Sequence, residues 1–349
     1  MTVIIFILVL LVCVLVHEWG HYITAKKSGM LVEEFGFGIP PRLWSFKRGE
    51  TKYSINALPI GGFVKIAGEN GLETDVPRDR QFDAKPWYKK SLVLVAGVIM
   101  NFVLAVVLFA IANVIGLPGI TPTGTPTVIS IVEGGAVQEA GIEVGDTITS
   151  LVVGKKDVSV LDTDAIRTAI QSSKDPVTIT YVHQGVETTK TITPRESDGT
   201  RLIGVSIEPI GTVKQSLFPA IGSAWTQSVH LIGQIFSTIG HLLGGLFTGE
   251  GSVKGLVGPV GLAREVGTAA TFGLTYLLAF TATISLNLAV LNILPFPALD
   301  GGRLVVVWGE AITRRKFSPT VVGIIHTAGF LLLITLMVVL TIGDIRNAL

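Results

Sequence analysis

Four stretches of this chain are hydrophobic over a sufficient length to cross a lipid bilayer. A membrane-spanning helix needs roughly 20 mostly apolar residues, and the pattern reaches that length at residues 1–22, 91–116, 272–294 and 321–342. Polar residues return between these stretches. The pattern therefore predicts an α-helical polytopic membrane protein with four transmembrane helices. Asn101, in the second span, is predicted to form a hydrogen bond between helices.

A further hydrophobic stretch lies within residues 213–270 and has a different pattern. Residues 215–248 contain no charged side chain, yet glutamine, serine and histidine recur between apolar residues at helical spacing. This pattern favours one or two amphipathic helices on the membrane surface or against the spans. A fifth span is the alternative, and it would separate the two basic connections described below. The sequence GPVG at residues 258–261 predicts a turn before the third span.

In two polar regions, apolar and polar residues alternate along the chain, as is typical of β-strands. Residues 23–90 form the first connecting loop, and alternation around a Pro/Gly-rich bend predicts a membrane-associated β-hairpin at about residues 51–67. Residues 121–210 predict strands, a short helix, an amphipathic helix and a second hairpin. The second region is therefore predicted to be an α+β domain.

The composition agrees with a membrane protein. Hydrophobic residues make up 48% of the chain and charged residues 15%, with a mean hydropathy of +0.60, whereas soluble domains are about 25% charged. The net charge of +1 gives no indication of a nucleic-acid partner. Cys13 is the only cysteine, which excludes an intramolecular disulfide.

The distribution of lysine and arginine predicts the orientation in the membrane. Cytoplasmic connections carry an excess of these residues, and they concentrate in residues 23–90 and 295–320. Both connections are therefore predicted to be cytoplasmic, and the domain at residues 121–210 extracytoplasmic.

The end of the first span carries the sequence His17-Glu18-x-x-His21. Helical residues four apart share one face, so both imidazoles can bind one metal ion, and the glutamate can take a proton from a water molecule at that metal. Ionisable residues at membrane depth are costly and usually mark function. Catalytic zinc usually has three protein ligands, so a third must come from another segment.

Asp300 is the favoured third ligand. It follows Pro295 and Pro297, which end the third span, and it precedes a Gly-Gly pair that permits a sharp turn. The predicted orientation places it on the same side of the membrane as the two histidines. The remaining histidines are predicted to be surface or packing residues, namely His183, His230, His241 and His326.

These motifs resemble the site-2 protease family of intramembrane zinc metalloproteases, most closely the bacterial regulator of sigma-E protease type. The resemblance is carried by HEWGH in the first span and NILPFPALDGG at the end of a later one, and it extends over nearly the whole chain. It implies that Zn²⁺ is bound by His17, His21 and Asp300. It also implies that Glu18 is the catalytic base and that Asn292 contacts the substrate.

The resemblance also gives roles to the two polar regions. It implies that the predicted hairpin re-enters the membrane, where Gly61, Gly62 and Phe63 offer an edge strand to the substrate. The element order of residues 121–210 resembles a single PDZ domain. Peptide binding and a role as a size filter are both open for this domain, and the filter is slightly favoured.

The implied function is regulated intramembrane proteolysis in the bacterial cytoplasmic membrane, with the active site on the cytoplasmic side. Substrates would be single-span membrane proteins, such as anti-sigma factors or remnant signal peptides, after an upstream site-1-type protease has shortened them. A membrane zinc transporter or sensor is an alternative that would need further intramembrane ligands. A non-catalytic PDZ scaffold is another, and it would have no need of Glu18 or Asp300.

Overall fold

The computed structural model describes every residue except 70–74, 133–134, 173–174, 184, 198–199, 249–256 and 349. The chain forms two compact units, one of Met1–Val114 with Ser216–Leu349 and one of Ile115–Gln215. The helices are α1 (Thr2–Lys27), α2 (Trp87–Ile115), α3 (Ala136–Glu139), α4 (Thr163–Ser172), α5 (Leu217–Thr248), α6 (Pro259–Thr271), α7 (Leu274–Ile293), α8 (Asp300–Thr313) and α9 (Pro319–Ala348), with a short 3₁₀ helix at Arg78–Arg80. The strands are β1 (Val32–Arg48), β2 (Thr51–Ile66), β3 (Leu117–Ile131), β4 (Thr147–Val153), β5 (Lys156–Val158), β6 (Val177–His183), β7 (Val186–Ile192), β8 (Arg195–Ser197), β9 (Thr200–Leu202) and β10 (Val205–Val213).

Four of the described helices, α1, α2, α7 and α9, are long and apolar enough to cross a membrane. They correspond to the four predicted spans, which are confirmed as helices. α1 continues beyond its predicted end at residue 22. Its last turn contains Lys26 and Lys27, and cations at a helix C-terminus interact favourably with the helix dipole.

The sheet of the first unit is larger than the predicted hairpin. β2 pairs antiparallel with β1, so the prediction that residues 51–67 form a hairpin by themselves is wrong. Residues 52–55 and 62–65 of β2 both pair with residues 34–37 of β1. The stretch of β1 therefore lies between the two halves of β2, and the Pro/Gly segment is a bend within one strand.

The residues predicted to be amphipathic form one helix, α5. Its fully buried residues are small or polar, namely Ala220, Ala224 and Ser228, and α5 packs against α2 and α7 in an apolar cluster. It is not among the four described helices that could cross a membrane. Residues 249–256 of the predicted 213–270 segment lie outside the described residues.

The GPVG sequence begins a helix rather than forming only a turn. Gly258 is the N-cap residue of α6. Its N–H and that of Gly261 donate hydrogen bonds to the carboxylate of Asp344, at 3.1 Å and 2.7 Å. The C-terminal part of α9 therefore supplies the cap that α6 lacks in its own sequence.

The second unit is built on a six-stranded sheet. Its strand order is β10-β3-β4-β6-β7, and β5 pairs with β4. Ile166 and Ile170 of α4 are buried in the same core as Leu151 and Ile179 of the sheet. The strands and helices predicted for residues 121–210 are present, and the identification of this unit as a PDZ domain stays a prediction.

Candidate metal centre

His17 and His21 lie on one face of α1, where this helix contacts α2. A Cβ at Gly20, between them, would lie 2.5 Å from the carbonyl oxygen of Ala96. Small residues let helix backbones approach closely within a membrane. The close approach buries both histidines, which are each 8% exposed.

The chain turns between α7 and α8, and this turn carries Asp300 to the histidines. Two prolines follow α7, and Asp300 is the first residue of α8. Ala298 has a φ of 78°, in the left-handed region. Its N–H donates a hydrogen bond of 2.9 Å to Nδ1 of His326 on α9. The turn is therefore stabilised by a contact with α9 as well as by its own sequence.

The three predicted ligands converge. The Nε2 atoms of His17 and His21 lie 3.1 Å apart. Oδ2 of Asp300 is 3.1 Å from Nε2 of His17 and 3.2 Å from Nε2 of His21. No other group of three His, Cys, Asp or Glu residues in the described part of the chain has such an arrangement of possible ligand atoms.

Hydrogen bonds on the far side of each imidazole direct its lone pair into the cluster. Nδ1 of His21 lies 2.8 Å from the carbonyl oxygen of Val93, which can only accept, so Nδ1 carries a proton and Nε2 of the neutral ring has the lone pair. Nδ1 of His17 lies 3.4 Å from the side-chain amide of Asn101, whose buried Oδ1 has no partner among the described residues. Turning this amide over lets Oδ1 accept a hydrogen bond from Nδ1 of His17.

This cluster fits a zinc ion. Two imidazole lone pairs and a carboxylate oxygen face one another at 3.1–3.2 Å, and a cation between them would remove the repulsion of acceptor against acceptor. Tetrahedral zinc, with Zn–N bonds of about 2.0–2.1 Å, places its ligand atoms about 3.3 Å apart. Two histidines and one carboxylate also form a known ligand set of catalytic zinc sites, which keep one position open.

Glu18 lies beside the cluster, where β2 passes α1. A Cβ at Gly62 would lie 3.0 Å from Cγ of Glu18, so β2 approaches this helix as closely as glycine permits. Gly61 has a φ of 84°, which other residues rarely adopt. The ring of Phe63 contacts Gly36 of β1. The predicted edge-strand residues and the predicted base are therefore neighbours.

Asn292 also faces the cluster. Its Nδ2 lies 3.5 Å from Nε2 of His17, and the residue belongs to the last turn of α7. α7 thus presents a polar side chain next to a predicted ligand, at the position where the family resemblance implies substrate contact.

An ion pair joins the loop after β2 to α8. Arg303, about one turn after Asp300, donates a hydrogen bond to Glu69. Burial raises the pKa of Glu69 above its ordinary value, and the Arg303 guanidinium opposes this shift. The pair holds the helix turn that carries Asp300 against the end of the strand that Glu18 contacts.

Three residues that position the cluster have weak signatures in the sequence. A Cβ at Gly97 of α2 would lie 2.5 Å from Nε2 of His21 and 2.8 Å from Nε2 of His17. Asn101 makes the predicted interhelical contact, but with a metal-ligand candidate. His326 contacts the turn before Asp300, and the prediction of a surface or packing residue did not identify this contact. For Gly97 and Asn101, the available signal was a small or polar residue within an apolar span. The sequence contains no signal for the contact that His326 makes.

Comparison with known sequences gives a consistent result. The sequence profile of Peptidase family M50 matches residues 5–336. A Clostridium perfringens protein named "Putative zinc metalloprotease" is 37% identical over 335 residues, covering 95% of this chain and 95% of that protein. A Clostridium acetobutylicum protein with the same description is 34% identical over 343 residues, covering 98% of this chain and 97% of that protein. "Zinc metalloprotease RasP" of Oceanobacillus iheyensis is 29% identical over 438 residues, covering 99% of each.

Proposed function

The chain belongs to peptidase family M50, and on that premise we propose that it is an intramembrane endopeptidase that cleaves the transmembrane segments of single-span membrane proteins. Its relatives are named zinc metalloproteases, and four of its described helices can span a bilayer. It is accordingly a zinc metalloprotease of the bacterial membrane. The observation that carries the finer proposal is the position of the cluster, whose ligands lie on the spanning helix α1 and directly after the spanning helix α7.

The chemistry is divided among four side chains. His17, His21 and Asp300 would hold the zinc ion, which supplies a Lewis acid for the scissile carbonyl and lowers the pKa of a bound water molecule toward ~7. Glu18 accepts a proton from the attacking water and passes it to the leaving amine. The contact between Glu18 and Gly62 supports this role, because a substrate segment lying along β2 would be within reach of Glu18.

The sheet of β1 and β2 supports the proposal that the substrate binds in an extended conformation at a strand edge. A transmembrane helix hides its peptide bonds in internal hydrogen bonds, so cleavage requires local unwinding. In the described sheet, residues 62–66 pair with β1 alone, which leaves the other edge of this half of β2 for an extended substrate segment. Asn292, 3.5 Å from His17, would contact the same segment next to the metal.

The orientation and the partners are part of the same proposal. The basic connections support a cytoplasmic position for the cluster and an extracytoplasmic position for the second unit. As a PDZ domain, that unit would bind a peptide or exclude substrates with large ectodomains. Suitable substrates are anti-sigma factors or remnant signal peptides that a site-1-type protease has already trimmed.

Substitution of Glu18 tests the assignment of the base. Purified Glu18→Gln protein is expected to bind zinc as the wild type does and to cleave a tagged single-span substrate at least about a hundredfold more slowly, since general base catalysis contributes roughly 10²–10⁴-fold. Metal analysis and gel-based cleavage measure the two properties. Glu265→Gln, on the exposed face of α6, is the control and should retain both.

Three outcomes would contradict the proposal. Cleavage by Glu18→Gln at the wild-type rate would exclude Glu18 as the base. Mass spectrometry of the products should place the cut within the membrane-spanning segment, and a cut found only in the flanking polar regions would exclude intramembrane cleavage. Chelator-insensitive cleavage would exclude the metal centre altogether.

A further inference from the structure

A polar cavity of about 390 Å³ lies between the start of α2 and the end of α8. We propose that it binds the phosphate headgroup of an anionic phospholipid. The argument uses neither Glu18 nor the metal ligands, so it does not depend on the function proposed above.

The lining of the cavity carries an excess of positive charge. Five basic side chains face two acidic ones, a net charge of +3. The basic residues are Lys85, Lys90, Arg314, Arg315 and Lys316, and the acidic residues are Asp83 and Glu310. An anion is therefore the ligand that the cavity attracts.

Lys90 is buried without a sufficient counter-charge. The residue is 5% exposed, and the nearest carboxylate oxygen, Oε2 of Glu310, is 3.8 Å from its Nζ, beyond hydrogen-bonding distance. Glu310 already accepts hydrogen bonds from Nζ of Lys316 at 2.9 Å and from the N–H of Phe317 at 3.1 Å. A buried ammonium is costly unless it is paired and hydrogen-bonded. A bound anion would supply the counter-charge and the hydrogen-bond acceptor that the ammonium of Lys90 lacks.

Two guanidinium groups are available at the mouth of the cavity. Arg314 and Arg315 are exposed, and no hydrogen bond or ion pair joins either of them to another residue in the described part of the chain. The planar fork of arginine fits a phosphate through paired hydrogen bonds. The cavity thus combines the buried ammonium of Lys90 with the exposed guanidinium groups of Arg314 and Arg315.

Aromatic side chains place the cavity at the depth of lipid headgroups. Trp87, the first residue of α2, lines it. Tyr88 and Trp308 lie beside it and are exposed, and Nε1 of Trp308 donates a hydrogen bond to Oγ of Ser91. Tryptophan and tyrosine concentrate at membrane–water interfaces, and basic pockets between helices there bind anionic headgroups. This placement favours a lipid phosphate over a soluble one.

Native mass spectrometry of the zinc-loaded, full-length protein tests the proposal. The wild type is expected to retain phosphatidylglycerol about tenfold more tightly, or better, than phosphatidylcholine with the same acyl chains. Arg314→Gln combined with Arg315→Gln should lose about tenfold or more of that affinity, since each basic residue near an anionic lipid contributes measurably. Both residues are exposed, so the fold should be retained. Lys90→Met, inside the cavity, should lose the preference for phosphatidylglycerol.

A matched control separates a site from general charge attraction. Lys47→Gln combined with Arg48→Gln removes the same charge from exposed positions on β1 and should keep the preference for phosphatidylglycerol. An equal loss in this control and in the arginine variant would overturn the proposal. Displacement of phosphatidylglycerol by an equal concentration of free glycerol phosphate would assign the cavity to a soluble phosphate and would overturn it as well.

Discussion

Each imidazole of the candidate metal centre is oriented by a hydrogen bond to α2, and one glycine of α2 leaves room for both rings. The carbonyl oxygen of Val93 contacts His21, the amide of Asn101 contacts His17, and Gly97 lies opposite both rings. Partners of this kind fix the tautomer and the direction of metal ligands. Changes of a few atoms on α2 should therefore affect the metal as strongly as changes on α1.

Gly97→Ala should strongly reduce zinc binding. The added methyl group would lie 2.5 Å from Nε2 of His21 and 2.8 Å from Nε2 of His17, so the rings must move from the positions in which they face Asp300. The expected loss of zinc affinity is at least the roughly 10–100-fold that follows removal of a partner of a metal ligand. Competition with a fluorescent chelator measures it.

The matched control is Gly233→Ala, since a Cβ at Gly233 of α5 would meet nothing within 4 Å. It should bind zinc normally and be at least as stable, because alanine has the higher helix propensity. Wild-type zinc affinity in Gly97→Ala would show that the rings do not need this space.

In the second unit, His183 should titrate above the ordinary histidine pKa of about 6.5. Its Nδ1 lies 2.7 Å from a carboxylate oxygen of Asp146, and this hydrogen bond raises the pKa of His183. Because the pKa of His183 is raised in the folded state, the pair stabilises the fold fully at pH values below the pKa of this histidine in the unfolded chain. This contribution is lost as the pH rises through the raised pKa.

Hydrogen exchange at the C2 carbon of the ring, followed by mass spectrometry, gives the pKa of His183 in the full-length protein. Asp146→Asn should lower it toward the ordinary value. The wild-type protein, measured in parallel, is the reference for the pKa of His183. An unaltered His183 midpoint in the variant would disprove the link to Asp146.

The last helix, α9, is attached to the rest of its unit by polar contacts near both ends. Most of its residues are exposed to the surroundings. His326 accepts a hydrogen bond from Ala298 near one end, and Asp344 accepts two from the start of α6 near the other. Gly329 lies against Pro297, so α9 packs directly on the turn that carries Asp300.

His326→Ala should weaken the metal centre through this turn. The partly buried N–H of Ala298 would lose its acceptor, at a cost of about 1 kcal/mol, and the turn would no longer hold Asp300 in one position. Zinc affinity and kcat are expected to fall together, with little change in KM. Isothermal competition and steady-state cleavage assays measure these quantities.

The controls distinguish positioning from general destabilisation. His326→Gln keeps a side-chain acceptor and should restore much of the zinc affinity. His230→Ala removes an exposed histidine elsewhere and should have no effect. Equal losses in the alanine and glutamine variants of His326, accompanied by a lower melting temperature, would argue for a merely structural role.

Across the molecule, lysine and arginine concentrate in the two connections proposed to be cytoplasmic. One connection contains β1 and β2, and the other contains α8. The proposal that β1 and the second unit lie on opposite sides of the membrane rests on this charge distribution. The single cysteine, Cys13, is fully buried, which leaves a nearly silent background for thiol labelling.

Labelling of introduced cysteines should report this orientation. In protoplasts, an impermeant maleimide is expected to react with Lys156→Cys, in β5 of the second unit. It should react with Arg48→Cys, at the end of β1, only after permeabilisation. Both positions are exposed, so access across the membrane is the main difference between them. The reverse labelling pattern would invert the proposed sidedness and the assignment of the metal centre to the cytoplasmic side.

Much of this protein could be predicted from local patterns. The spans follow from runs of roughly 20 apolar residues, because the bilayer thickness sets a length that sequence displays directly. His17 and His21 are recognisable as a pair because helical periodicity alone places them on one face. Asp300 needed two further arguments, the shared membrane side and the resemblance to a family, since its distance from the histidines along the chain gives no indication of contact.

The features that could not be predicted from the sequence depend on contacts with residues far away in the chain. The hairpin expected at residues 51–67 is divided by a stretch of β1, and alternation within a strand does not reveal which strand will lie beside it. Gly97 and His326 are ordinary residues in apolar helices until the packing brings them to His21 and Ala298.

The amino-acid order thus determined the spans, the pair of histidines and the segments of regular structure, because these arise from hydrophobicity and periodicity over neighbouring residues. Packing in three dimensions decided which group orients each ring, which glycine leaves room for both rings and which helix supports the turn before Asp300. Those contacts join residues from separate helices, and their energies depend on distances of a few ångströms that only the assembled fold defines.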